Sequence, residues 1–186
     1  MSRFTITQTP LAGLKTIARQ RLEDGRGFLT RVFCAEELLE SGWNGPVVQI
    51  NHTRTLHKGT IRGMHFQFPP HSEKKLICCL TGEIWDVALD IRADSPTFLR
   101  WHGVRLSGEN GMSMLIPEGF AHGFQALSGN VDLLYCHSVA YMAGAEGGLN
   151  PRDPRLAIDW PAAITEISER DLSHPFIDST FTGVRL

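Results

Sequence analysis

The chain has 186 residues, 42% of them hydrophobic and 20% charged, and a formal net charge of −2. This is the composition of an ordinary globular protein with one sizeable core; it offers no basic run to attract nucleic acid or an anionic membrane, and no apolar stretch of membrane-spanning length. The start, Met1-Ser2-Arg3-Phe4-Thr5, lacks a signal-peptide apolar region, so a cytoplasmic protein is expected.

In chain order, Phe4 to Ala18 alternates weakly and runs into the turn-like cluster Glu23-Asp24-Gly25-Arg26-Gly27. Residues 28–33 resume as a short strand. Residues 35–42 read as a helix, with acidic residues in the first turn and Gly42 as a stop. Strands then follow at regular intervals: 47–52, 60–67, 75–80, 83–91, 99–106, 113–116, 121–127 and 131–141. The breaks between them carry Gly, Pro, Asn and Ser, which predicts a closed or two-sheet antiparallel β fold. Residues 143–159 are rich in Gly, Pro and Asp and read as loop. Ser168 is placed to cap one helical turn that His174-Pro175 stops. No repeat or linker divides the chain, so one domain over 1–186 is expected, with its β core at about 45–142. Cys34, Cys78, Cys79 and Cys136 show no C-x-x-C spacing and read as buried thiols.

Candidate chemistry rides on these strands. His65 shares a pleat face with Ile61, Gly63 and Gln67. An imidazole titrates near neutrality and abstracts a proton when a carboxylate orients it; Asp86, Asp90, Asp132 and Asp171 are the candidates, and spacing does not choose among them. Strict alternation sets Arg62 on the opposite face. Both reach one site only through a bulge, and Gly63 is where it is expected. Lys75 is either an edge lysine with its ammonium in water or an inward charge for an enolate or phosphate. Tyr135 is either a core tyrosine with a bonded hydroxyl or a general acid.

Pro117-Glu118-Gly119-Phe120-Ala121-His122 resembles the second motif of the cupin superfamily, small jelly-roll barrels. The first cupin motif, usually H-x-H, is here His65-Phe66-Gln67, and Ala126 stands four residues after His122. The usual ligand set is therefore not repeated, and no metal is expected. The fold expected is mainly β: a cupin-type antiparallel jelly-roll barrel with a few short helices, mostly near the C-terminus.

More specifically, the chain resembles the dTDP-4-dehydrorhamnose 3,5-epimerase family. The matching stretches run in family order: Asp24 to Gly27, Gln49-Ile50-Asn51, Ile61 to Gln67, Lys75 to Cys78, Asp86 to Arg92, Ser95 to Phe98, Ile116 to Phe124, Tyr135, and Ile158 to Pro161. The resemblance implies a nucleotide-diphosphate sugar substrate whose 4-keto group acidifies C3 and C5. It implies His65 as base, Asp171 as its orienting carboxylate, Lys75 beside the ketone oxygen and Tyr135 as general acid. Substrate contacts would be Arg26, Gln49, Asn51, Arg62, His122, Glu146 and Arg170. No metal or redox cofactor is implied, and the expected assembly is a homodimer that exchanges N-terminal strands near Arg26. One departure stands out. The family reads D-x-R-G-x-F-x-E after its first strand, whereas here Leu29 replaces the phenylalanine and Arg31 the glutamate that contacts the nucleotide end. Arg31 is thus a further candidate substrate contact, and nucleotide recognition is expected to differ.

Overall fold

Strands with apolar residues on both pleat faces need cover on both sides, and the fold supplies it with two facing sheets and a wrap on each outer surface. The computed structural model describes residues 2–186. In chain order the elements are β1 (Phe4–Gln8), β2 (Lys15–Arg19), β3 (Arg21–Asp24), β4 (Gly27–Thr30), α1 (Ala35–Leu38, continuing as a 3-10 turn through Ser41), and β5 (Gln49–Thr55). Then come β6 (Thr60–Gln67), β7 (Lys75–Thr81), β8 (Glu83–Asp90), β9 (Trp101–Ser107), β10 (Met112–Ile116), β11 (Phe120–Ala126) and β12 (Val131–His137). A 3-10 turn at Ala143–Ala145 leads to β13 (Glu146–Gly148), and β14 (Glu166–Ile167) leads to α2 (Glu169–Leu172).

One sheet has the order β1-β2-β10-β7-β12-β5, and the other β13-β6-β11-β8-β9, with β14 added parallel to β6. This is the jelly-roll arrangement. Between the sheets, Ile77, Cys79 and Leu133 of the first meet Ile84, Ala88 and Phe124 of the second. Each large apolar side chain buried there is worth about 1.5–3 kcal/mol. Outside the first sheet, Leu38 and Trp43 cover Leu76, Cys78 and Cys136. Outside the second, Leu149, Leu156 and Ile177 of the C-terminal segment cover Val87, Leu89 and Ile91. Double cover explains the unbroken apolar run of β7.

The structure differs from the sequence reading at element ends. The strand expected over 28–33 stops at Thr30, because Phe33 turns inward to pack edge-on against Trp43 at 5.4 Å. The strand expected over 131–141 stops at His137. The loop expected over 143–159 contains β13, whose Glu-Gly-Gly has no strand propensity and pairs with β6 through backbone alone. Cys34 is half-buried, unlike the other three cysteines, and all four are free thiols.

Candidate functional site

The site begins with a slip in β6. His122 of β11 faces His65, yet Phe124 faces Arg62, one residue out of step. The bulge falls at Gly63, whose φ of +137° suits glycine and whose added Cβ would lie 2.4 Å from Gly123 Cα. The slip settles the face conflict: Arg62 and His65 both line a cavity of about 700 Å³ between the sheets. It also frees the Gly63 N–H, which donates to Asp171 Oδ2 at 3.2 Å.

Asp171 reaches that point through three local devices. β14 pairs with the start of β6, Ile167 against Ile61. Ser168 caps α2 by accepting from Asp171 N at 3.1 Å. The Asn150 amide closes the other end by donating to Leu172 O and His174 O. The result is a contact of 2.7 Å between His65 Nε2 and Asp171 Oδ1. Burial pushes the Asp171 carboxyl up, but the His65 hydrogen bond and charge, with the Gly63 N–H, outweigh it and hold the group below its ordinary value. An ionised carboxylate only accepts, so Nε2 carries a proton in either state of the ring, and in the neutral imidazole the lone pair is on Nδ1. The other orienting candidates are engaged elsewhere: Asp86 with His122, Asp90 with Arg92, and Asp132 with His52 and Arg54.

Across the cavity, the first sheet presents Lys75 and Tyr135. Lys75 is no edge residue, because β7 runs between β10 and β12. Its ammonium lies 3.0 Å from Glu73 Oε1 and donates to His65 O at 3.2 Å. The Tyr135 ring meets His122 edge-on at 6.0 Å and stacks on His137 at 6.1 Å. Burial and the Asp86 charge push the phenol above its ordinary value, so it keeps its proton at neutral pH. His122 is itself buried, 2.7 Å from Asp86 Oδ1.

Polar groups frame the mouth. Gln49 and Asn51 extend from β5, bonded to each other at 3.1 Å. β13 holds Glu146, which accepts from Tyr141 Oη at 2.7 Å and pairs with Arg170 at 2.5 Å. Burial raises the Glu146 carboxyl, and Arg170 and Tyr141 more than offset this, leaving it below the usual range. Of the catalytic and substrate-contact candidates drawn from the family resemblance, all line this cavity except Arg26 and Arg31; the orienting alternatives Asp86, Asp90 and Asp132 do not line it either. Arg26 sits in the β3–β4 turn, 90% exposed and bonded to Asp24 at 2.7 Å, and Arg31 pairs with Glu37. Within one chain, neither reaches the cavity.

The cavity lining also includes Glu73, His137 and Tyr141, which were not among the candidates from the sequence. Glu73 and His137 stand two positions from Lys75 and Tyr135, where period-two alternation would have put them on the same face. Tyr141 lies in a loop and carried no such signal. Among the described residues, no group of three or more His, Cys, Asp or Glu side chains is placed to hold a metal ion. No helix among them is long and apolar enough to cross a membrane.

A jelly roll that opposes a carboxylate-bound imidazole to a neutral phenol and a lysine belongs among cupin-type proteins built for acid–base chemistry on a small molecule. Known proteins narrow that class. The family model described as dTDP-4-dehydrorhamnose 3,5-epimerase matches residues 8–179. The Salmonella typhimurium enzyme of that name is 41% identical over 159 residues, covering 83% of this chain and 85% of the relative. A crystal structure of the Legionella pneumophila dTDP-6-deoxy-D-glucose-3,5-epimerase, in complex with dTDP-4-keto-L-rhamnose, superposes with a TM-score of 0.91 at 39% identity, covering 98% of each chain. A 3'-monoepimerase from Streptomyces bikiniensis, in complex with dTDP-quinovose, gives a TM-score of 0.84 at 30% identity, covering 90% of this chain and 85% of that one. The chain belongs to the dTDP-4-dehydrorhamnose 3,5-epimerase family.

Proposed function

We infer that this protein epimerises a dTDP-linked 4-keto-6-deoxyhexose, inverting C3 and C5 of dTDP-4-dehydro-6-deoxy-D-glucose. The observation that carries the reading is the placement of His65, held by Asp171 of α2, on one sheet and of Tyr135 and Lys75 on the facing one, across a single cavity. His65 Nδ1 takes the proton from the carbon beside the ketone. The electron pair moves onto the ketone oxygen, and the resulting enolate is met by the Lys75 ammonium. Tyr135 then delivers its proton to the opposite face of the same carbon; the phenolate regains a proton from solvent and His65 releases the one it took to solvent, which restores both groups. Two acid–base groups on opposite walls are what inversion requires; a single base would return the proton to the face it left. Arg62 and Arg170 at the mouth suit a diphosphate, and His122, Gln49, Asn51 and Glu146 suit the polar groups of the sugar and nucleotide.

The working unit in this reading is a homodimer in which the β3–β4 hairpin carries Arg26 and Arg31 into the partner's cavity. Support comes from the hairpin itself, a two-stranded sheet of its own with Phe28 and Leu29 58% and 64% exposed. Arg31 would then stand at the nucleotide end, where a planar cation replaces an acceptor and changes which base is preferred.

The test is NMR in deuterated water with dTDP-4-dehydro-6-deoxy-D-glucose. Deuterium entering at both C3 and C5 is the expected result. Entry at one carbon alone would mark a single-centre enzyme, the reading favoured by the likeness to the 3'-monoepimerase. Parallel binding of thymidine and other nucleoside diphosphates tests Arg31; tight preference for the thymidine form alone would contradict an altered base preference.

A further inference from the structure

We propose that Glu73 is a positioning residue for Lys75, fixing the ammonium so that one N–H is aimed at the substrate's ketone oxygen; the proposal rests on the epimerase reading. An ammonium has three N–H donors and no preferred direction of its own on a four-carbon stem. Here two of the three are taken. Glu73 Oε1 holds one at 3.0 Å, and the backbone carbonyl of His65 accepts another at 3.2 Å. The third is left for the cavity that Lys75 lines.

Glu73 is itself pinned at both oxygens. Its Oε2 accepts from Gln67 Nε2 at 2.8 Å, and Gln67 is held in turn by donating to His71 O at 3.0 Å and accepting from Met142 N at 2.6 Å. The Glu73 and Lys75 side chains are 5% and 10% exposed, so water does not compete for the ion pair. Among the described residues, Glu73 is the only carboxylate in ion-pair contact with Lys75. The neighbour directly across from Lys75 on β12 is His137, whose Nε2 is buried with no hydrogen-bond partner among the described residues. It offers no charge to steer the ammonium.

The bond to His65 O gives the arrangement its use. It ties the cation to the backbone of the residue that carries the base, so the groups acting on the C–H and on the ketone oxygen keep a fixed separation. Losing the Glu73 anchor lets the ammonium swing on its stem, and a displacement of about 1 Å at such a group costs on the order of 100-fold in rate.

The experiment measures deuterium wash-in kinetics for Glu73→Ala and Glu73→Gln, each also in a Lys75→Met background, alongside thermal melting and dTDP binding. Expected for Glu73→Ala is a fall in kcat of about 10- to 100-fold, with KM changed by less than about threefold. Glu73→Gln keeps an acceptor for Lys75 but turns an amide N–H toward the Gln67 donor, so it recovers part of the loss. Once Lys75 is Met, neither substitution lowers the rate further. Wild-type kcat in either folded variant overturns the proposal, as does an equal further loss in the Lys75→Met background, which would mark Glu73 as generally structural. If Glu73→Ala does not fold, Glu73→Gln decides alone by the same criteria. Absence of exchange in the unmodified protein is a separate outcome: it removes the epimerase reading and this proposal with it.

Discussion

The cavity wall and the β3–β4 hairpin are built to opposite rules. In the wall, three ionisable side chains are paired within the chain: His65 with Asp171, His122 with Asp86, and Lys75 with Glu73. In the hairpin, Arg26 reaches only the neighbouring Asp24, while Phe28 and Leu29 face solvent. Buried charges must be paired or they cost several kcal/mol each, so the wall is fixed by the fold of one chain. Exposed apolar side chains beside a solvent-exposed ion pair carry no such constraint. The contrast is that the groups proposed to move protons are held in place inside one chain, whereas the hairpin proposed to serve a partner's cavity has exposed apolar side chains that one chain leaves uncovered.

The largest expected effect sharpens the first half of this contrast. His65→Ala removes the base and is expected to lower deuterium wash-in by about 10²- to 10⁴-fold. Asp171→Asn leaves the shape but removes the charge and turns one of the two acceptor oxygens facing His65 Nε2 and the Gly63 N–H into a donor, so the imidazole tautomer is no longer fixed, with a comparable loss. Tyr135→Phe separates the two walls: exchange initiated by His65 persists, while formation of inverted product falls by about 10²-fold, read as the ratio of exchanged substrate to epimer by NMR.

The hairpin is next. Phe28→Asp combined with Leu29→Asp is expected to convert a dimer into a monomer by sedimentation and to raise KM by about tenfold, with kcat changed less. An unchanged assembly state, or a kcat loss as large as that of His65→Ala, would break the distinction between the two regions.

How much of this could be read from the sequence follows the same division. Period-two alternation and turn residues gave the strands from Gln49 to His137, because strands covered on both sides keep long apolar runs. The Gly63 bulge was legible because Arg62 and His65 could share a site in no other way. The Ser168 cap was legible because its chemistry is local. Spacing did not single out a partner for His65, since 106 residues separate it from Asp171 and four aspartates fit equally; the family resemblance alone named Asp171, and the fold brings the two within 2.7 Å. β13 was hidden because its pairing is through backbone. His137 and Glu73 were passed over although alternation sets them beside residues that had been noticed. Arg26 and Arg31 were named by resemblance alone, and the single chain leaves both outside the cavity.

The smallest expected effect concerns His137. Burial first, and then the Lys75 charge, lower its imidazole from 6.5 to about 4. Between those values the unfolded chain binds a proton that the folded one refuses, so stability falls as pH falls from 6.5 towards 4. Discounted for the ring's partial exposure, the loss is about 1–2 kcal/mol. His137→Phe keeps a flat ring on Tyr135 and removes the titration. Urea unfolding of the two proteins at pH 7 and pH 4.5 is expected to show a shallower acid loss in the variant; equal slopes would place the titrating group elsewhere.

The central claim is that opposed groups from the two sheets move protons at a carbon beside a ketone. It is tested most directly by incubating wild-type and His65→Ala protein with dTDP-4-dehydro-6-deoxy-D-glucose in deuterated water and following C3 and C5 by NMR. The account predicts deuterium at both carbons with inverted product from the wild type, and neither from the variant. Exchange that survives in a folded His65→Ala protein at the wild-type rate would contradict it.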